Sequence, residues 1–213
     1  MFKSKAAFAA LIPLSLVGCS TPNGQVDDLG VTATRSACPA VAIPAATGDV
    51  TLFNPESSRD SSAIDVVANI TNLRSTCNES GEAIVTSVTF DIQAQRRDSR
   101  GARELVLPYF AAAVQGGTQI QSKSVSRVGL RFADGELRAS ASASASAQVS
   151  RAAVTLPEDV RQQITRRRKP GDAAAAIDPM ADPAVREAVR RASFEVLVGF
   201  QLTQEQLAYN ATR

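Results

Sequence analysis

Apolar and polar residues alternate in several short runs along the chain, as they do in strands that bury one face. The alternation is clear in residues 64–71, 88–95 and 194–202, and weaker in residues 104–114 and 120–132. Turn-forming clusters separate the runs. Pro108 predicts that the run at residues 104–114 lies at a sheet edge or contains a bulge. The pattern predicts about seven short strands.

A repeat of alternating alanine and serine occupies residues 139–147. Such a repeat fits either a low-complexity linker or a strand. The strand is favoured because the period of two continues from Leu137 through to Val149. Alanines that face inward would suit a close approach of two sheets.

Two helices are predicted late in the chain, at residues 157–168 and 183–192. In the second, Asp182 can cap the helix and Pro183 takes the first helical position. The stretch between them is rich in proline, glycine and alanine and reads as an exposed excursion. Together the elements predict an all-β fold, an antiparallel immunoglobulin-like β-sandwich with a late helical insertion at about 157–192. A β-barrel that holds a ligand is the alternative.

The first eighteen residues read as a signal peptide. Lys3 and Lys5 precede an uncharged, mostly apolar stretch that is too short to span a bilayer. The stretch ends in Leu16-Val17-Gly18-Cys19, which resembles the lipobox of bacterial lipoproteins. The alternative is an ordinary signal peptide with a chance cysteine. The resemblance implies cleavage before Cys19 and lipidation of its thiol, with palmitate among the acyl chains. Because Ser20, not aspartate, follows, it also implies transport to the outer membrane.

The mature chain then divides into a flexible tether at residues 19–36 and a folded domain at residues 37–213. Lys3 and Lys5 account for the whole formal charge of +2, so the mature chain is electrically balanced. This balance gives no general reason to expect a nucleic-acid partner.

The chain has no histidine, so Ser-His-Asp and Cys-His catalysis and histidine-containing zinc sites are excluded. Glu158 and Asp159 are adjacent near a helix start, where the helix dipole is reason enough for them. We therefore expect no enzymatic activity, no metal and no cofactor.

Once Cys19 is lipidated, Cys38 and Cys77 remain as an even pair in an oxidising compartment. A disulfide between them is the natural prediction, and it would stabilise the fold by roughly 4 kcal/mol. The alternative is a pair of buried free thiols.

A basic cluster could contact anionic lipid head groups or lipopolysaccharide phosphates, or could simply be a solvated helix face. Its members are Arg161, Arg166, Arg167, Arg168 and Lys169.

Parts of both ends of the domain resemble a family of uncharacterised alphaproteobacterial outer-membrane lipoproteins. The resemblance is carried by residues 37–43 (ACPAVAI), Cys77, residues 107–110 (LPYF) and residues 195–210. It implies a lipid-anchored envelope protein and brings no activity with it.

The sequence thus predicts a non-enzymatic, periplasm-facing lipoprotein that binds or scaffolds another component of the cell envelope. Its covalent lipid would meet the membrane, and another envelope protein, engaged through strand edges or the helical insertion at about 157–192, is the expected partner. The alternative is a periplasmic carrier of a lipid or small hydrophobic ligand. A carrier would need an apolar cavity on the order of 300 Å³ or more.

Overall fold

The computed structural model of the chain describes residues 25–27, 30–32, 36–166, 171 and 177–212. The predicted signal peptide, Cys19, Arg167, Arg168 and Lys169 lie outside these residues. The strands are β1 (Gln25–Asp27), β2 (Gly30–Thr32), β3 (Ala40–Ala42), β4 (Asp49–Phe53), β5 (Ile64–Asn78), β6 (Ala83–Arg96), β7 (Arg103–Gln115), β8 (Gln119–Phe132), β9 (Arg138–Ser150) and β10 (Phe194–Phe200). The helices are α1 (Arg151–Val154), α2 (Glu158–Thr165), α3 (Pro183–Arg191) and α4 (Gln204–Thr212), with single 3-10 turns at Ser61–Ala63 and Pro179–Ala181.

Two four-stranded sheets form the body of the protein, in the strand orders β3-β10-β7-β8 and β4-β5-β6-β9. We call them the first and the second sheet. Neighbouring strands are antiparallel except for the parallel pair of β10 and β3. The chain is therefore mostly β and forms a two-sheet sandwich, as the alternation predicted.

The chain crosses repeatedly between the sheets. The meander β4-β5-β6 builds most of the second sheet, and the hairpin β7-β8 then lies in the first. The chain returns as β9 beside β6, and the helical segment carries it back to β10 beside β7. Sequence neighbours β8 and β9 therefore end as edge strands of different sheets.

The core lies between the sheets and is filled by side chains from the inward positions of the strands. Seven of the predicted inward residues are 7% exposed or less, which confirms them as core: Val66, Ile70, Phe90, Ile92, Val196, Val198 and Phe200. Ile64 and Leu202, at the ends of two of the runs, are half-buried. Each large side chain buried in this way stabilises the fold by about 1.5–3 kcal/mol. Phe132 and Leu130 of β8 add further buried bulk.

The Ala/Ser repeat forms β9, so the prediction of a strand is confirmed and the linker is excluded. Its serines are exposed and its alanines are partly or fully buried against the core. The small inward side chains let this strand lie close to the opposite sheet.

The prediction that Pro108 marks an edge or bulge is wrong. It lies in β7, between β10 and β8, and opposite Arg127 in regular register. The carbonyl of Pro108 accepts a hydrogen bond from the backbone N–H of Gln201 at 2.9 Å. In an antiparallel ladder the N and the C=O of one residue point to the same neighbouring strand. The nitrogen of Pro108, which has no hydrogen to donate, therefore faces the β10 side, just past Phe200, the last paired residue of that strand.

Both predicted helices are present in shortened form as α2 and α3. Asp182 caps α3, since its carboxylate accepts a hydrogen bond from the N–H of Ala184 at 2.8 Å. Val160 of α2 packs with Val185 and Ala188 of α3 in a small core of their own. The helical insertion thus has apolar contacts of its own.

The structure adds several elements that the pattern did not predict. The short strands β1 and β2 pair antiparallel inside the predicted tether, and β4 and α1 were not predicted. Among the described residues, no helix is both long enough and apolar enough to cross a bilayer.

Candidate functional site

The edge strand β9 ends the second sheet and has β6 as its one strand neighbour within that sheet. It pairs with β6 on one side through thirteen consecutive residues, from Arg138 opposite Gln95 to Ser150 opposite Ala83. The register does not shift anywhere along this pairing. A straight edge of this length presents a continuous template for another strand.

Two backbone bonds establish which groups of β9 face the open side. The N–H of Arg151 donates to the carbonyl of Glu82, and the N–H of Arg96 donates to the carbonyl of Leu137. Odd-numbered residues of β9 therefore bond to β6, and the N–H and C=O groups of the even-numbered residues point outward from the sheet edge. Between Arg138 and Arg151, these outward residues are the serines at 140, 142, 144, 146 and 150 and the glutamine at 148.

A tyrosine from the opposite sheet approaches this edge. The hydroxyl of Tyr109 on β7 donates a hydrogen bond to the carbonyl of Ser144 at 2.8 Å. Its ring lies edge-on against Phe90, with 5.2 Å between the ring centroids. Tyr109 thus holds the middle of β9 to the first sheet and satisfies one outward carbonyl from within.

The other sheet edges carry devices that discourage pairing, such as short length, charge and register shifts. β3 has three residues, and β4 has five with a register shift at its end. β8 carries Lys123, Arg127 and Arg131, and its ladder with β7 shifts near Val114. Between Arg138 and Arg151, β9 has no charged residue, no proline and no shift.

The first half of β8 forms an uncovered shelf beside β9. Residues 119–127 are exposed on both faces, whereas Val128, Leu130 and Phe132, farther along the strand, are buried. The shelf positions with the same inward orientation are Ser122, Ser124 and Ser126, and Ile120 at the end of the shelf is 65% exposed. The second sheet therefore ends at β9 and leaves the shelf without a covering strand among the described residues.

A polar clamp on the outer face fixes β9 to its own sheet. Asp91 of β6 accepts hydrogen bonds from Asn72 Nδ2 at 2.8 Å and from Ser142 Oγ at 2.7 Å. These two bonds, the first above all, hold the pKa of Asp91 below its usual range, with a smaller contribution from the charge of Arg74. An open, mostly polar cleft of about 710 Å³ lies farther along this face, beside Arg138.

Cys38 and Cys77 lie at disulfide distance, with 2.08 Å between their sulfur atoms. Cys38 precedes β3 of the first sheet and Cys77 lies in β5 of the second, so the pair ties the two sheets together. The carboxylate of Glu79 lies 2.8 Å from the sulfur of Cys38 and also accepts a hydrogen bond from the hydroxyl of Ser36.

The basic cluster is described only in part. Arg161 lies in α2 and pairs with Glu158 through a hydrogen bond of 2.9 Å, and Arg166 is exposed just after that helix. Hydrogen bonds from Gln162 and Arg161 lower the pKa of Glu158. One of the two described cations is thus already neutralised, and whether the cluster meets an anionic surface stays a prediction.

Two small clefts lie at one end of the sandwich, near α4. One has about 230 Å³ and contains the ion pairs of Arg59 with Glu205 and of Arg103 with Asp65. Its neighbour has about 220 Å³, is mostly apolar and is bordered by Val106 and Leu202. Both are smaller than the cavity that a lipid carrier needs.

Sequence reasoning missed one buried cation. Arg96, which the sequence pattern did not identify as a core position, is the last residue of β6 and is 2% exposed. The alternation could have identified this position, because Arg96 is even-numbered and the even-numbered residues of β6 all face inward. Tyr109 was likewise missed as the residue that reaches β9.

No family model, curated protein or solved structure matches the chain. Two features of the chain's own geometry stand out: the edge of β9, beyond which no described strand continues the sheet, and the adjoining shelf on β8.

Proposed function

We propose that this chain is a lipid-anchored protein of the cell envelope that faces the periplasm and binds another protein by strand addition to β9. The proposal combines the lipobox-like segment at Cys19 with the exposed edge of the sandwich. The single observation that carries the binding role is the straight, uncharged edge between Arg138 and Arg151. The outer membrane is the proposed location.

Strand addition needs backbone groups that are available to a partner, and the even-numbered residues of β9 supply them. A strand laid along this edge would form a new antiparallel or parallel ladder, which gives affinity with little demand on side-chain identity. The alanines on the inner face leave room for the partner's side chains above the shelf. The immunoglobulin-like type of sandwich stays part of the proposal, supported by the mainly antiparallel sheets and the repeated crossings between them.

The anchor can be tested by replacing the cysteine that would carry the lipid. In the Cys19→Ala variant we expect the protein to leave the membrane fraction or to remain as the unprocessed precursor. The matched control is the Cys38→Ala, Cys77→Ala double variant, which removes the other two thiols and should stay membrane-bound. Incorporation of labelled palmitate into the Cys19→Ala variant would contradict the anchor.

The binding surface can be tested with a photo-reactive amino acid at one position of β9. Ser146 is exposed on the edge strand, and Ser87 lies directly opposite it on β6, exposed on the same outer face. We expect covalent adducts with a protein in intact envelopes from position 146 and not from position 87. Equal labelling from both positions, or no adduct from position 146, would refute strand addition at β9.

A further inference from the structure

We propose that the strand added to β9 is the β9 strand of a second copy of this chain, so that two sandwiches join in a symmetric dimer. The inference rests on the proposed function, because it names the partner of that same edge. In the dimer the two second sheets form one continuous eight-stranded sheet. The dimer axis lies beside the Ala/Ser repeat.

The repeat is suited to pairing with itself. In an antiparallel pair related by a two-fold axis, the even-numbered residues of one copy bond to the even-numbered residues of the other. Each residue that must pair is then one that already points its N–H and C=O outward. Because alanine and serine alternate without a break, every shift by two residues keeps alanine inward and serine outward.

The chemistry of the two faces fits the same arrangement. On the outer face, serines of the two copies would lie side by side, and cross-strand hydroxyl pairs of this kind are favourable. On the inner face, the partner's alanines would lie above Ser122, Ser124 and Ser126 of the shelf. Small side chains on both surfaces allow the close approach that a bulkier added strand would prevent. The half-strand that now has nothing opposite it would be covered.

The charges at the ends of β9 set the limits of the pairing. Full overlap of Arg138–Ser150 would bring Arg138 of one copy close to Arg151 of the other, and like charges directly opposite destabilise a ladder. The alternating repeat allows a shift that removes this conflict without turning any alanine outward. The pairing is therefore expected to lie within the uncharged stretch between the two arginines.

The available surface is large enough for a specific dimer. A shift of two residues leaves about eleven of the thirteen residues of β9 paired, a length of about 37 Å at 3.4 Å per residue. With a contact width of roughly 10–20 Å, for the sheet alone or for the sheet with the shelf, each copy would bury roughly 370–740 Å². A stable protein interface typically buries about 800 Å² per partner. The inclusion of the shelf brings the contact into that range.

Native mass spectrometry of the full-length chain, extracted from its own envelope in mild detergent, can test the dimer. Ser146→Pro removes an outward N–H without removing a bond to β6, and Ser146→Lys adds the charge that other edges carry. Ser87→Lys places the same charge on the neighbouring strand and is the matched control. Circular dichroism should show that each variant remains folded.

We expect wild type and Ser87→Lys to have twice the single-chain mass at about 10 μM. At least one folded Ser146 variant should have a dimer Kd roughly tenfold higher than that of wild type. A wild-type mass of one chain at about 100 μM would overturn the dimer. So would a dimer that neither folded edge variant weakens. A different protein crosslinked to position 146 would overturn the second copy as partner while leaving the proposed function intact. The absence of any adduct would remove both.

Discussion

Arg96 offers the sharpest test of how this fold is held together. Arg96 is the last residue of β6. Its guanidinium donates hydrogen bonds to four backbone carbonyls: those of Glu136 at 2.8 Å, Gly101 at 2.8 Å, Ser99 at 2.6 Å and Ala133 at 2.9 Å. These carbonyls belong to two turns, one between β6 and β7 and one between β8 and β9. Both turns connect the sheets, so a single side chain fixes two crossings.

The cost of removing this side chain can be worked from its contacts. A hydrogen bond from a charged donor contributes about 1.5–3 kcal/mol, but four such bonds to one group are not additive. The turns lie near the surface, so water can reach some of the carbonyls once Arg96 is gone. The contact between the guanidinium and the ring of Phe132 is lost as well. We expect Arg96→Met to lower the free energy of unfolding by about 3–5 kcal/mol, comparable with the removal of one partner of a buried ion pair.

Urea unfolding followed by circular dichroism measures this change, provided that the slope with denaturant is unchanged. A loss of about 4 kcal/mol corresponds to a Tm lower by roughly 8–16 °C in a domain of this size. Arg96→Lys should recover less than half of the loss, because an ammonium cannot present a planar fork to four carbonyls. The control is Arg127→Met on the exposed shelf, with an expected change within about 0.5 kcal/mol. A loss below about 1 kcal/mol for Arg96→Met would refute the reasoning.

Three further predictions follow from single contacts. Tyr109→Phe should cost about 1 kcal/mol in urea unfolding, because the carbonyl of the β9 edge loses its hydroxyl partner, and an unchanged midpoint would show that this bond contributes nothing. The Cys38→Ala, Cys77→Ala variant should be about 4 kcal/mol less stable than wild type, because the disulfide closes a loop between cysteines 39 residues apart in sequence. Two alkylated thiols in the intact mass of the unreduced wild-type protein would show that the pair is not bonded. Hydrogen bonds from Arg100 lower the pKa of Asp98 below its usual 3.8, so the contribution of Asp98 to stability is present above that pH and is lost as the pH falls farther. Below pH 4, Asp98→Asn should therefore lose less stability with falling pH than wild type, and parallel curves of stability against pH would contradict this.

Most of the strands could be predicted from the sequence because a period of two is a local signal. The alternation in residues 64–71 and 194–202 identified strands and their buried faces, and the Ala/Ser repeat continued a period already set by Leu137. β4 escaped because its sequence, DVTLF, is short and includes Thr51, a polar residue that is nonetheless buried. Burial of that residue depends on the strands around it.

The candidate site could be predicted only in kind. Strand edges were expected to bind a partner, but a strand becomes an edge through its non-local pairing, and β9 pairs with β6, not with its sequence neighbours. The role of Arg96 has the same origin. The alternation along β6 indicates that Arg96 faces inward, yet the carbonyls that accept its hydrogen bonds belong to turns up to forty residues away. No periodicity within one strand contains that information.

The composition of β9 also explains how an edge can remain open without weakening the core. Alanine buries little area, so the inner bulk comes from Phe90, Phe132 and Phe200 on other strands. β9 is held instead by its long backbone ladder, by the clamp at Asp91 and by the hydroxyl of Tyr109. None of these contacts uses the outward N–H groups of the even-numbered residues. A strand can therefore add to the outer side of β9 while these contacts are kept. The carbonyl of Ser144, which already accepts a hydrogen bond from Tyr109, would then accept a second one.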